Sequence, residues 1–221
     1  MAVKPALSRA ALVQRQDYTA THAGFRWAIP EYFNIGRAIC SDWAAVAPDQ
    51  VAIVDIAGDG DARRMTYADL EKASNQLANH LQASGVVQGD VVAILLPQSI
   101  ETAIAHIAAL KLGAVTLPLF MLFGPEALEH RLTDAAAKVV VTHAEGAALI
   151  HNLSDVLPDL DILTIGGSDW ESMRKHGTTT FETVRTRADD PAILIYTSGT
   201  TGAPKGALHA HRVLLAHLPG F

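Results

Sequence analysis

The sequence predicts an α/β fold: a doubly wound, mostly parallel sheet with helices on both faces. Three observations carry this reading. Short continuous apolar runs such as Val91–Leu96 (VVAILL) recur along the chain and read as strands covered on both faces. Segments with helical spacing alternate with them. A turn rich in glycine and hydroxyl residues follows the last of these runs, the place where open α/β sheets bind ligands.

The elements follow in order. Residues 34–46 (NIGRAICSDWAAV) put Ile35, Ile39, Trp43 and Val46 on one side of a helix. After a turn at Pro48-Asp49, Val51–Ile56 reads as a strand. A second turn at Gly58-Asp59-Gly60-Asp61 lets Arg63–Met65 return as its hairpin partner. Thr66 is placed to cap a helix, with Asp69 three residues on. Leu70, Ala73, Leu77 and Leu81 then mark one face of that helix, which ends near Gly85. Beyond the Val91–Leu96 strand come a helix over Ser99–Leu112, a strand at Ala114–Leu117, a helix from Pro125 to about Ala137 and a strand at Val139–Thr142. A short helix at Ala144–Leu153 and strands at Asp161–Ile165 and Ala192–Tyr196 complete the series. The polar stretch Gly166–Asp190 reads as an irregular surface excursion, and His209–Leu218 as the start of a helix.

Composition narrows the function. Of 221 residues 49% are hydrophobic and 18% charged, a globular balance with material for a sizeable core. The formal net charge of -6 leaves no basic footprint for nucleic acid, although backbone N–H groups bind phosphate without net charge. The lone cysteine, Cys40, excludes an intrachain disulfide, reads as a small buried hydrophobe, and fits a reducing, cytoplasmic setting. The mostly apolar stretch Ala103–Phe123 contains Lys111, Gly113 and Pro118, so a buried helix, turn and strand fit it better than a membrane span. Residues 1–32 read as an N-terminal tail. No metal-ligating cluster is indicated.

The chemistry is concentrated in Thr197-Ser198-Gly199-Thr200-Thr201-Gly202-Ala203-Pro204-Lys205-Gly206: four hydroxyls, three glycines and one lysine in ten residues after a strand. Glycines let backbone N–H groups close on an anion, hydroxyls donate further hydrogen bonds, and a lysine adds charge. Such a turn suits a polyphosphate. It is not a Walker loop, because Lys205 follows Pro204 and precedes Gly206, and no GxGxxG is present. An ordinary Ser/Thr/Gly surface loop is the plainer alternative.

The string YTSGTTGAPKG resembles the phosphate-binding signature of the adenylate-forming superfamily, which includes acyl-CoA synthetases, luciferases and peptide-synthetase adenylation domains. The stretch from Thr66 to Phe120 and the string PEALEHRLTDAAAKVVVT resemble the same family, and FNIGRAICSDWAAVAPDQVAIV is most similar to its acetyl- and medium-chain acyl-CoA synthetase branch. The resemblance implies that Thr197, Ser198, Gly199, Thr200, Thr201 and Gly202 hold the β- and γ-phosphates of ATP and that Lys205 neutralises them. His211 falls where the family often carries His; a ligand role and a plain helix-start role both remain open. His106, in an apolar helix, reads as a packed core residue. The resemblance implies ATP, Mg²⁺ and coenzyme A as cofactors and a carboxylic acid as substrate. It also implies that residues 33–221 are the N-terminal portion of an adenylation domain, without its C-terminal lid and with no confident catalytic residue. The expectation is an inactive fragment of an acid–CoA ligase for a short or medium fatty acid, an aromatic acid being the runner-up. The alternatives are an adenylation domain serving another thiol acceptor, a non-catalytic interaction module that self-associates through an exposed apolar face, and a stand-alone phosphate or nucleotide binder.

Overall fold

A computed structural model describes residues 17–56, 60, 62–198 and 203–218. A first short helix, α1 (Tyr18–Gly24), lies within the expected N-terminal tail; Asp17 caps it by accepting from the Ala20 N–H at 2.6 Å, and it buries no residue. The helical stretch predicted over 34–46 forms a π-turn at Arg37–Ser41 that runs into α2 (Asp42–Val46). Strands β1 (Val51–Ile56) and β2 (Ala62–Thr66) then pair antiparallel as a separate two-stranded sheet. Of the turn between them, positions 57–59 and 61 lie outside the described residues.

Thr66 caps α3 (Tyr67–Ala83) as the sequence indicates: its hydroxyl accepts from the Asp69 N–H at 3.2 Å and donates to the Asp69 carboxylate at 2.8 Å. The main sheet follows with β3 (Val91–Leu95), α4 (Ile100–Lys111), β4 (Val115–Leu119), α5 (Pro125–Asp134), β5 (Ala137–Thr142), α6 (Ala144–His151) and β6 (Asp161–Thr164). It continues through α7 (Ser168–His176), β7 (Pro191–Thr197), β8 (Lys205–Ala210) and α8 (Val213–His217). The strand order is β6-β5-β3-β4-β7-β8, parallel throughout except for the antiparallel β7–β8 pair.

Alternate residues of the apolar strands serve opposite layers. Val92, Ile94, Val139 and Val141 join α3, α4 and α7 in one core, while Ala93, Leu95 and Val140 join α5 and α6 in the other. This two-sided burial is why these strands read as unbroken apolar runs.

Four expectations need correction. Gly166–Asp190 is not simply an irregular excursion: it contains α7, whose Trp170 and Met173 are buried in the core. The strap after it is gripped by amides of α3. Asn79 Nδ2 donates to the Thr178 and Thr180 carbonyls at 3.0 and 2.8 Å, and Asn75 Nδ2 donates to Thr179 at 3.0 Å. His209 and Ala210 belong to β8 rather than to a helix, because pairing with β7 dictates an extended chain there. Strand β7, expected to be buried, is only partly so. The helix from Pro125 stops at Asp134, and Ala137 already opens β5.

Lys111 ends α4 with no exposed surface. Its ammonium donates to Glu71 Oε2 at 2.6 Å, Ser74 Oγ at 2.9 Å and Asn75 Oδ1 at 2.8 Å. Glu71 also accepts from Ser41 Oγ, Asn75 Nδ2 and the Cys40 thiol. Gly36 brings the π-turn segment onto this knot: a Cβ there would sit 2.8 Å from the Lys111 backbone nitrogen and 2.9 Å from the Ile107 carbonyl oxygen. Only glycine permits that approach.

Candidate phosphate-binding site

The antiparallel β7–β8 pair sets Tyr196 opposite Gly206 and Thr197 opposite Lys205. The signature turn therefore leaves the sheet at Thr197 and re-enters it directly alongside at Lys205. Thr197, Ser198 and Lys205 are exposed at this edge. Lys205 makes no ion pair among the described residues, so its charge is available to a ligand. Gly199, Thr200, Thr201 and Gly202, the centre of the expected site, lie outside the described residues.

Helix α5 stands behind this edge. His130 Nε2 lies 3.2 Å from the Pro204 carbonyl oxygen, and the Tyr196 hydroxyl donates to Asp134 Oδ2 at 2.5 Å. Between them the nearly buried Arg131 places its guanidinium 4.1 Å from the centre of the Phe123 ring and 5.7 Å from that of Tyr196. Arg131 Nη1 donates to the Ala127 carbonyl at 2.7 Å. Burial first, and then the hydrogen bond and charge of Asp134, push the Tyr196 phenol well above its ordinary value, so it stays a donor. Next along the same edge, the turn after β4 leaves Phe120 70% and Leu122 97% exposed.

His211 is not brought to the turn. It follows Ala210, which pairs with Pro191 at the opposite end of β7 from Thr197. Its Nδ1 accepts the Ile35 N–H at 3.1 Å, which fixes the neutral tautomer with hydrogen on Nε2. Nε2 has no partner among the described residues. Burial lowers the His211 pKa to about 4, against a weaker upward pull from Asp190. His106 is half-buried in α4, and burial lowers it to about 4 as well. The Cys40 thiol is buried and pushed up to about 12, first by desolvation, with Lys111 pulling the other way; it is a thiol and not a nucleophile.

The contribution of α5 escaped the reading of the sequence. Its signal was a polar stripe at His130, Arg131 and Asp134 on a helix that follows a strand, but nothing local says which strand the stripe meets. No group of three or more His, Cys, Asp or Glu side chains among the described residues is placed to hold a metal ion. No helix among them is long and apolar enough to cross a membrane.

Comparison with known proteins gives this geometry a context. Residues 40–220 match the family described as AMP-binding enzyme. The acetyl-coenzyme A synthetase of Psychromonas ingrahamii is 31% identical over 89% of this chain and 34% of its own length. That of Vibrio parahaemolyticus is 32% identical over the same shares. Among solved structures, a Brucella canis acyl-CoA synthetase superposes with a TM-score of 0.79 at 28% identity, covering 90% of this chain and 39% of that one. The anthranilate CoA ligase AuaEII, solved with anthranoyl-AMP, gives 0.75 at 31% identity, covering 83% and 35%. The chain thus spans about one third of the length of the curated relatives it matches.

Proposed function

The chain belongs to the AMP-binding enzyme family, and from that premise we propose that it is the N-terminal part of an ATP-dependent acid–CoA ligase that acts on a short- or medium-chain fatty acid. In the first half-reaction a carboxylate oxygen attacks the α-phosphorus of ATP. The bond from that phosphorus to the α,β-bridging oxygen breaks, and pyrophosphate leaves with the bond's electron pair. In the second, the coenzyme A sulfur attacks the acyl carbon and AMP departs.

The share of this chain is the polyphosphate. Thr197 and Ser198 supply hydroxyl and backbone donors, and Lys205 a cation directly across the pair, so charge accumulating on the departing pyrophosphate meets fixed donors. We assign the same task to Gly199, Thr200, Thr201 and Gly202 from the sequence signature. A Mg²⁺ ion bound with the nucleotide would offset phosphate charge here, and the Thr197 and Ser198 hydroxyls are the oxygen ligands that this edge offers it. We place His211 outside the nucleotide site, as a core residue that fastens Ile35. The single cysteine, buried and reduced, suits a cytoplasmic setting.

The observation that carries this reading is the pairing of Thr197 with an exposed Lys205 across the mouth of the turn. Mg–ATP titrated calorimetrically into the chain tests it: binding that weakens about tenfold on Lys205→Met supports a polyphosphate grip, and no heat with the unsubstituted chain refutes it. The 221 residues alone are expected to form no acyl-adenylate; carboxylate-dependent ATP–pyrophosphate exchange by this chain would contradict that.

A second reading, self-association as an interaction module, is favoured by the exposed Phe120, Leu122, Ile195 and Leu208. A clean monomer at high concentration in analytical ultracentrifugation would remove it.

A further inference from the structure

We propose that His130 and Asp134 of α5 are positioning residues that hold the two feet of the signature turn, Pro204 and Tyr196, at a fixed separation; the purpose of that grip rests on the polyphosphate reading above.

Residues four apart on a helix share one face. Here that face ends in two polar tips, and each meets a different foot of the same turn. His130 Nε2 is 3.2 Å from the Pro204 carbonyl oxygen on the returning side. Asp134 Oδ2 accepts the Tyr196 hydroxyl at 2.5 Å on the departing side. The His130 and Tyr196 rings pack edge to face with centroids 6.1 Å apart, so the two contacts form one unit. Arg131, lodged between Phe123 and Tyr196, fixes the azimuth of α5 about its axis. Gly206 completes the fit: a Cβ there would lie 3.4 Å from Cζ of Tyr196 and 2.8 Å from a Leu194 methyl, so the bare glycine lets the phenol lie across the strand toward Asp134.

Both contacts are directional bonds, and neither belongs to the β7–β8 pairing. The acceptor at Pro204 is a carbonyl, so His130 must carry its hydrogen on Nε2, and it does so in both the neutral and the protonated ring. Fixing the two feet before a ligand arrives removes part of the conformational-entropy cost of binding there. His130 and Asp134 therefore act through the turn, and neither needs to touch the nucleotide.

The test is native-state trypsin cleavage of the whole chain at the Lys205–Gly206 bond, with the exposed Lys175 of α7 as internal control. Opening at Lys205 should speed up about fivefold in His130→Leu and in Asp134→Ala, the ratio set by the net free energy of one hydrogen bond, while cleavage at Lys175 is unchanged. His130→Gln, which keeps a donor, and Asp134→Asn, which keeps an acceptor, should restore the native rate. Unchanged cleavage at Lys205, an equal rise at Lys175, or conservative variants as labile as the Leu and Ala variants would overturn the proposal. Mg–ATP separates the two readings. If it fails to protect Lys205 in the unsubstituted chain, the polyphosphate assignment falls, while the cleavage ratios still decide the role of α5. If it protects, the half-protecting concentration should rise by about the same factor in His130→Leu, and no rise would show that the grip does not serve the ligand.

Discussion

Lys111 and Lys205 occupy opposite kinds of environment in one molecule, and the contrast separates what holds this fold from what it offers. Lys111 has no exposed surface, and each hydrogen of its ammonium has an acceptor on α3. Lys205 is exposed at the mouth of a turn, opposite Thr197, with no ion pair among the described residues. Both regions are built from lysine, hydroxyls and close backbone approach. In the first the polar groups satisfy one another around a fully buried ammonium, with Glu71 partly exposed. In the second Thr197, Ser198 and Lys205 are exposed. A lysine in a signature is informative only once its partners are known.

The largest expected effect breaks the buried side of this comparison. Glu71→Ala leaves the Lys111 ammonium buried without its counter-charge, and removing one partner of such a pair costs about 3–5 kcal/mol. Urea unfolding should show the loss as a lower midpoint. The double substitution Glu71→Leu with Lys111→Met should recover much of it, because an apolar pair of similar volume needs no desolvation. If Glu71→Ala unfolds at the native midpoint, the knot does not hold the fold.

Acid sharpens the comparison, since two classes of buried group lose stability in different windows. Burial raises the Glu71 carboxyl, but Lys111 and the hydrogen bonds from Lys111, Cys40 and Ser41 outweigh it and hold the pKa below 4.5. The Glu71 contribution is therefore fully present above pH 4.5 and is lost as pH falls below it, through its depressed folded value. His211 and His106, at about 4 folded against 6.5 ordinarily, take up protons on unfolding between those values, so their contribution is lost as pH drops from about 6.5 toward 4. His211→Asn keeps an acceptor for the Ile35 N–H and should flatten the slope in that window by about 1.4 kcal/mol per pH unit, one proton's worth. An unchanged slope would mean that His211 is not buried neutral.

Lys205→Met probes the open side. It should leave the urea midpoint within about 0.5 kcal/mol of native, as exposed substitutions do. It should weaken Mg–ATP binding about tenfold, the scale of one charge-assisted hydrogen bond. A large stability loss would show that Lys205 is structural after all and would erase the contrast with Lys111.

What was legible in the sequence follows the same division. Elements with a full apolar period were readable: α3 from Leu70, Ala73, Leu77 and Leu81, and β3 from its unbroken run. The doubly wound arrangement followed from their alternation. Helix α7 was missed although its ends are well marked, with Asp169 and Glu171 in the first turn and Arg174, Lys175 and His176 in the last. Its apolar face is only Trp170 and Met173, too short a stripe for periodicity to register. Strand β8 was missed because KGALHA contains no β-branched residue, and its extended form comes from pairing with β7. At the candidate site, the ten-residue signature singled out Thr197, Ser198 and Lys205, and the fold sets Thr197 opposite an exposed Lys205. The supports at His130 and Asp134 lie more than sixty residues away in sequence, and only the β4–β7 adjacency brings them together. Lys111 did carry a local sign, a charge in an apolar helix, but Glu71 is forty positions distant.

The smallest expected effect belongs to Cys40, and it tests how dry the knot is. The thiol donates to Glu71 Oε2 at 3.3 Å and lies 4.0 Å from Ser74 Oγ, with no exposed surface. Desolvation, joined by the nearby Glu71 charge and opposed by Lys111, pushes its pKa up to about 12, so almost no thiolate exists at neutral pH. An aromatic disulfide reagent should therefore react with the native chain only as fast as the region opens. Cys40→Ser keeps the donor to Glu71 and should cost about 1 kcal/mol or less. An amine-acylating reagent makes the companion measurement, modifying Lys205 readily and Lys111 only on unfolding. Prompt labelling of Cys40 in the folded chain, or acylation of Lys111 at a rate near that of Lys205, would mean that water reaches the knot, and the two lysines would no longer stand for two environments.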